Sequence, residues 1–180
     1  MTNSRITQLA EQLDWHWTAQ LRPRFDGLTD DEYFFEPVPG CWTIRRHGTR
    51  MVPDFADPPP QPEPLTTIAW RMAHVIVGVL ATRAHSHFGG PPADYESWDY
   101  AADADTALRQ LDDAYRLWRD GVHGLADADL DTPVGPAEGP WAAAPMATLI
   151  LHINREVIHH GAEIALLRDL YAHTPPTAAS

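Results

Sequence analysis

The chain of 180 residues carries 13 Lys and Arg against 25 Asp and Glu, which gives it a formal charge of −12. That length suits one domain with its own hydrophobic core, and the acidity argues against nucleic acid as a partner, because a phosphate backbone requires clustered basic residues. No run of about 18 uncharged apolar residues occurs, which argues against a membrane span. The N-terminal residues lack the apolar core of a secretory signal. Since Cys41 is the only cysteine, no intrachain disulfide can form, and we expect a cytoplasmic protein.

The first helix is predicted from Ile6 to Leu28, where apolar residues recur at near-helical spacing. Pro23 is expected to kink or shorten it. A short helical turn should follow, with Thr29 as its N-cap before three carboxylates that suit a helix start. From Glu36 to Pro64 the density of prolines excludes regular helix. A loop of this length in a compact domain is usually functional or disordered.

Three more long helices are predicted. The second begins at Thr66 or Thr67, both suitable N-caps, and ends at Phe88 before a Gly/Pro-rich stop. The third spans roughly Asp103 to Leu125, and the last runs from Met146 to about Tyr171.

These elements predict an all-α fold. No strand pattern or internal repeat is evident, and four long helices without a sheet indicate an up-down four-helix bundle with a long Pro-rich loop between the first and second long helices. We expect the domain to comprise residues 1–172 and residues 173–180 to form a disordered tail.

The last helix carries two polar residues within an otherwise apolar stripe. Glu156 and His160 lie near its middle, at the three-to-four spacing that places residues on one helix face. A carboxylate at such a position is costly unless it is paired or bound to a metal. Since the two residues are one turn apart, both can reach one point, as in helical metal sites. A buried acid–base pair without metal is the alternative.

His74 is the only histidine at the centre of the second helix, which is apolar nearly all round, and Gly78 leaves space one turn later. A lone core histidine is more often hydrogen-bonded than metal-bound. Together with Glu156 and His160, however, His74 would complete a three-ligand site with open positions. We therefore predict one divalent metal ion at His74, Glu156 and His160. Zinc suits mixed nitrogen and oxygen ligands, and Ni²⁺ or Fe²⁺ would also fit.

Four other residues are candidates for the surroundings of this site. His152, one turn before Glu156, is either a fourth ligand or a neighbour. His159 points about 100° away round the helix and is interpreted as a flanking residue or a support for a ligand. Arg83 is expected to form a salt bridge with the third helix or the long loop, with binding of a substrate anion as the alternative. Trp42, in the long loop, is expected to cover the site.

Cys41 is interpreted as structural, because nothing near it in the sequence supplies a base. A role as nucleophile is the alternative. His85 and His87 lie near the end of the second helix, where a histidine interacts favourably with the helix dipole.

The residues from Trp70 to Val75, followed by 87–89, and those from His152 to Ile164 resemble motifs of the DinB/YfiT-like superfamily. Residues 26–32 and 37–42 are similar to its actinobacterial branch. The resemblance extends from about Ile6 to Tyr171. It implies a four-helix bundle with a metal ion bound by three side chains.

Many members of that superfamily use three histidines, and this chain has Glu156 in place of one of them. The set of ligands is thereby similar to that of the mycothiol-dependent maleylpyruvate isomerase branch. The isomerase carries a second domain, which we do not expect in a chain of this length. The resemblance implies an enzyme that transfers a low-molecular-weight thiol such as mycothiol to a small electrophile, with the metal promoting loss of the thiol proton.

A non-catalytic, stress-related metal-binding bundle is the alternative function. An apolar pocket opening onto the metal would favour the enzyme, and a closed four-ligand site that includes His152 would favour the alternative. Self-association as a homodimer is a further expectation.

Overall fold

The computed structural model describes residues 4–174, which are mostly helical with one small sheet. The α-helices in this range are α1 (Arg5–His16), α2 (Asp30–Tyr33), α3 (Ile68–Ala73), α4 (Thr82–Phe88), α5 (Ala104–His123) and α6 (Met146–His173). The strands are β1 (Ile44–His47) and β2 (Arg50–Pro53). Two π-helical segments, Trp17–Leu21 and His74–Ala81, and three 3₁₀ segments, Arg22–Phe25, Asp127–Asp131 and Pro136–Trp141, complete the helical structure.

The first long helix is shorter than predicted. Ser4 caps α1 by accepting a hydrogen bond from the N–H of Thr7, and the helical path continues through a π-helical and a 3₁₀ segment to Phe25. The predicted end at Leu28 was therefore wrong by three residues. Gly27 adopts a φ of 70°, which breaks the right-handed path.

The second long helix has the predicted ends. Thr67 caps it by accepting a hydrogen bond from the N–H of Trp70, and Gly89, at a φ of 69°, stops it after Phe88. Within it, α3, the π-helical segment and α4 follow one another without a break. The π-helical segment, which begins at His74, was not predicted. Such segments are uncommon and frequently occur at functional sites.

The sheet corrects the prediction of a fold without strands. β1 and β2 pair antiparallel, with Ile44 opposite Pro53, and the chain turns at Gly48. Only the first of the four β1 residues is buried, so β1 shows no alternation of apolar and polar residues, which is the usual signal of a strand.

The loop that contains this hairpin is attached to the start of α3. The N–H of Thr67 donates to the carbonyl of Trp42 at 2.9 Å, and the hydroxyls of Thr67 and Thr43 lie 2.8 Å apart. The carboxylate of Asp54 accepts hydrogen bonds from the N–H of Thr43 and from Arg45. The loop residues around Trp42 are thereby held beside the N-terminal half of the second long helix.

The long helices share one apolar core. α5 packs along the π-helical segment, and α6 packs against α1, α3 and the same segment. Trp17 of the first long helix stacks on Tyr115 of α5, with ring centroids 3.8 Å apart. This packing places the middle of α6 opposite His74.

The last helix extends two residues beyond the predicted end. His173 closes α6 and Thr174 is its C-cap, whereas the rest of the predicted tail, residues 175–180, lies outside the described residues. The predicted domain boundary at residue 172 stays a prediction. Among residues 4–174, no helix is long and apolar enough to cross a membrane.

Candidate metal centre

Three predicted ligands come together between the second long helix and α6. One ligand atom each from His74, Glu156 and His160 lies within 4.8 Å of the other two. Nε2 of His160 is 3.3 Å from Oε2 of Glu156. The rings of His74 and His160 meet almost at right angles, with centroids 4.8 Å apart. A single ion could therefore contact side chains from both helices.

The chemistry of these donors fits a divalent metal. Zinc–nitrogen and zinc–oxygen bonds of about 2.0–2.2 Å imply donors roughly 3.4 Å apart in a tetrahedral shell. The pair formed by Glu156 and His160 already has this spacing, and small side-chain movements would bring His74 to it. Two imidazoles and a carboxylate suit Zn²⁺, Ni²⁺ and Fe²⁺ alike.

His74 is held in the form that binds metals. Its Nδ1 lies 3.2 Å from the hydroxyl of Tyr95, which leaves Nε2 for an ion, and its ring stacks on Trp70 with centroids 5.9 Å apart. Burial, together with the charges of His160 and Arg71, lowers the pKa of His74 to about 4. The ring is therefore neutral at pH 7, as a metal ligand must be.

His160 is oriented by a carboxylate on its own helix. Its side chain is buried, and Nδ1 lies 2.7 Å from Oε2 of Glu163. A proton on Nδ1 can thus be donated to Glu163, which leaves Nε2 free on the side that faces Glu156. This contact was not predicted from the sequence. The three-residue spacing from His160 to Glu163 was the available signal for this contact.

Glu156 divides its two oxygens between different partners. Oε2 faces His160, whereas Oε1 lies 3.3 Å from a guanidinium nitrogen of Arg155 and 3.5 Å from Nδ1 of His152. Burial alone would raise the pKa of Glu156, but the hydrogen bond from Arg155 and the charges of His152 and His160 outweigh it and lower the pKa. The carboxylate is therefore ionised at neutral pH.

His152 and His159 lie outside this group of three. His152 sits against Oε1 of Glu156, and its Nδ1 is 2.6 Å from Arg155. The side chain of His159 is 63% exposed and contacts Glu163 at 3.4 Å. In this structure both residues flank the ligands, and a role for His152 as a fourth ligand stays a prediction.

A second group of donors, formed by His159, His160 and Glu163, is also compact. Its carboxylate is already paired, because Nε of Arg71 lies 3.1 Å from Oε2 of Glu163 and a second Arg71 nitrogen lies 3.3 Å from Nδ1 of His160. A metal ion there would have to displace this guanidinium or face its positive charge. In the first group, Oε2 of Glu156 faces His160 and only Oε1 contacts an arginine, so the first group is the better candidate.

Arg83 is paired with a carboxylate in the connection between α5 and α6 and not in the third helix or the long loop. It donates to Glu138, at 3.3 Å, and to the carbonyl of Gly78. Glu138, in the connection between α5 and α6, also contacts Nε2 of His87 at 2.9 Å. The side chain of His87 is only 5% exposed, so its main partner is this carboxylate and not the helix dipole.

Trp42 contacts the site indirectly, by packing against Trp70. Its ring centroid lies 5.9 Å from that of Trp70, which in turn stacks on His74. Phe55 adds a third ring, 6.3 Å from Trp42. These rings form an aromatic wall beside His74.

Cys41 is 1% exposed, and its thiol donates to the carbonyl of Val38 at 3.1 Å. Its buried position agrees with a structural role.

Two histidines and a glutamate lie together between two long helices of a mostly helical protein. The fold and the site are therefore those of a candidate metal-binding helical domain. A family model of the DinB superfamily matches residues 12–164, and the chain belongs to that superfamily, whose members are generally metal-binding. The matched range contains all three candidate ligands. Comparisons with curated proteins and with solved structures find no significant match.

Proposed function

We propose that the protein is a divalent-metal-dependent enzyme that transfers a low-molecular-weight thiol of the mycothiol type to a small electrophile. The observation that carries the proposal is the group of His74, Glu156 and His160, which offers three ligands where structural zinc sites use four. We also propose an up-down arrangement of the four long helices, a cytoplasmic location, zinc as the metal, and a relation to the actinobacterial isomerase branch.

A bound divalent ion would lower the pKa of a coordinating thiol from its ordinary value near 8.5. The protein residues prepare the site for that ion. Glu163 holds His160 with Nε2 toward Glu156, and Arg155 keeps the Glu156 carboxylate ionised and directs Oε2 inward. These contacts fix the donors before the ion binds, which reduces the conformational entropy lost on binding.

The electrophile would lie against the aromatic wall. Trp70 packs directly on His74, and Trp42 continues the wall toward the loop. Apolar rings on one side of the site limit access of water, which would otherwise solvate the thiol sulfur and compete for the electrophile.

No protein nucleophile is required for this reaction. Cys41 is buried, and its thiol is hydrogen-bonded to the carbonyl of Val38. It does not belong to the group of candidate ligands. The proposal therefore assigns the nucleophilic sulfur to the small thiol.

The test is an assay with mycothiol and a bimane electrophile on wild-type protein, Glu156→Ala and Cys41→Ser. We expect activity in the wild type and in Cys41→Ser, and its loss in Glu156→Ala. Loss in Cys41→Ser with activity retained in Glu156→Ala would contradict the proposal.

A non-catalytic metal-binding protein is the second candidate, and one observation favours it. Nδ1 of His152 lies 3.5 Å from Oε1 of Glu156, so this histidine stands beside the three candidate ligands, and a structural site with four ligands has no open position for a substrate. Metal binding without turnover of any thiol and electrophile pair would support this function over the enzyme.

A further inference from the structure

Tyr95 reaches the candidate metal centre from the connection between α4 and α5. Its hydroxyl lies 3.2 Å from Nδ1 of His74, on the side of the ring away from Nε2. The residue as a whole is half exposed, yet the tip of its side chain is inserted against the π-helical segment. Tyr95 was not among the site residues predicted from the sequence, because it belongs to neither ligand-bearing helix.

Gly78 provides the space that this hydroxyl occupies. A Cβ atom at position 78 would lie 1.6 Å from the Tyr95 hydroxyl oxygen and 2.6 Å from the adjacent ring carbon. The helical backbone at Gly78 does not itself require glycine, and glycine is less favourable than alanine within a helix. Accommodation of Tyr95 is therefore the structural reason for glycine at this position.

The backbone around Tyr95 is held on both sides. The carboxylate of Asp94 accepts hydrogen bonds from the N–H groups of Glu96 and Ser97, both at 2.8 Å. The hydroxyl of Tyr100 donates to the carbonyl of Tyr95, also at 2.8 Å. These hydrogen bonds fix the loop that places the Tyr95 hydroxyl beside His74.

We propose that Tyr95 is a positioning residue, whose hydroxyl holds the ring of His74 with Nε2 directed toward Glu156 and His160. The inference rests on the proposed metal centre and adds a residue to it. Gly78 contributes to this positioning, because its lack of a side chain leaves the space that the Tyr95 hydroxyl occupies.

A tyrosine hydroxyl suits this task because it can both donate and accept. It can donate to Nδ1 when that nitrogen carries no proton. When an ion occupies Nε2, the proton of the ring resides on Nδ1, which then donates to the tyrosine oxygen. The contact therefore persists in both states. A carboxylate such as that of Glu163, the partner of His160, can only accept, so it favours a single tautomer.

The experiment measures zinc affinity by competition with a chromophoric chelator. The variants are Tyr95→Phe, which keeps the ring, and Tyr171→Phe, a control that loses the hydroxyl of a tyrosine whose ring packs against Phe35. Removing a partner of a histidine ligand typically weakens metal binding by 10- to 100-fold, and a neutral partner should lie at the lower end. We expect roughly tenfold weaker binding in Tyr95→Phe and wild-type binding in Tyr171→Phe.

A double-mutant cycle tests the role of Gly78. We expect Gly78→Ala to weaken zinc binding in the wild-type background by displacing Tyr95, and to add little to the loss in a Tyr95→Ala background. Additive losses would mean that the new methyl group acts on His74 directly, and would overturn the role given to Gly78.

Nitrogen NMR of the His74 side chain gives a readout that a merely structural role would not move. In the zinc-loaded protein, loss of the hydroxyl should shift the Nδ1 resonance, while the thermal unfolding temperature of metal-free Tyr95→Phe stays close to that of the wild type. Wild-type zinc affinity and an unchanged Nδ1 resonance in Tyr95→Phe would overturn the inference alone. Absence of zinc binding by the wild type would overturn the metal centre itself, and the inference with it.

Discussion

The carboxylate of Glu163 lies 2.7 Å from Nδ1 of His160, directly behind the ring nitrogen that faces Glu156. The Glu163 carboxylate therefore orients the ring through Nδ1, and the Glu156 carboxylate lies beside Nε2. A histidine that only filled the core would need one such partner. The arrangement explains how a buried imidazole can present a fixed lone pair to an ion.

Replacement of Glu163 by glutamine should weaken zinc binding by roughly 10- to 100-fold. The neutral amide no longer favours a proton on Nδ1 of His160, and it leaves Arg71 without its carboxylate partner. Isothermal titration with zinc measures the effect. Asp169→Asn is a suitable control, since Asp169 is an exposed carboxylate on the same helix that pairs with Arg24. Equal affinity in Glu163→Gln and the control would contradict the orienting role.

The Glu138→Gln variant distinguishes the two roles considered for Arg83, a salt bridge within the protein and the binding of a substrate anion. Glu138 joins Arg83 and His87 on the second long helix to the connection between α5 and α6, so loss of its charge should destabilise the protein by roughly 1–3 kcal/mol. Zinc affinity should stay at the wild-type value, because none of these residues is a candidate ligand. Urea unfolding of the metal-free protein, with a zinc titration alongside, measures both quantities. Unchanged stability would argue against a structural role for this salt bridge and for an anion-binding Arg83.

Glu32 should contribute to the loss of folding stability at acid pH. Burial alone would raise its pKa, but hydrogen bonds from Arg168, at 3.0 Å, and from Thr29 outweigh this and lower it. Because the pKa is lower in the folded state than in the unfolded chain, this carboxylate stabilises the fold above its unfolded pKa, and the stabilisation is lost as the pH falls through the folded pKa. Urea unfolding at pH 7 and at about pH 3.5 should therefore show a smaller acid-induced loss in Glu32→Gln than in the wild type. An identical loss in both proteins would contradict this assignment.

Much of the candidate site could be predicted from the sequence, because it depends on local geometry. The helical repeat places Glu156 and His160 one turn apart, and the caps at Thr67 and Gly89 define the helix that carries His74. Local rules fix these features regardless of how the chain packs.

The remaining features depend on tertiary contacts or on weak local signals. Tyr95 meets His74 only because the connection between α4 and α5 folds back onto the second long helix, and no periodicity reports that contact. Glu163 contacts both His160, at 2.7 Å, and His159, at 3.4 Å, and because both spacings allow a contact on a helix, the sequence does not indicate which contact is the shorter. The strand β1 was missed because three of its four residues are exposed.

The metal content of the purified protein tests the central claim most directly. The protein should be prepared without a metal-affinity column and analysed by mass spectrometry of its metals, as wild type, His160→Ala and His159→Ala. The two histidines are neighbours on α6, but only His160 contacts Glu156, whereas the side chain of His159 is 63% exposed. We predict one divalent ion per chain in the wild type and in His159→Ala, and its loss in His160→Ala. Equal metal content in His160→Ala and the wild type would contradict the proposed metal centre.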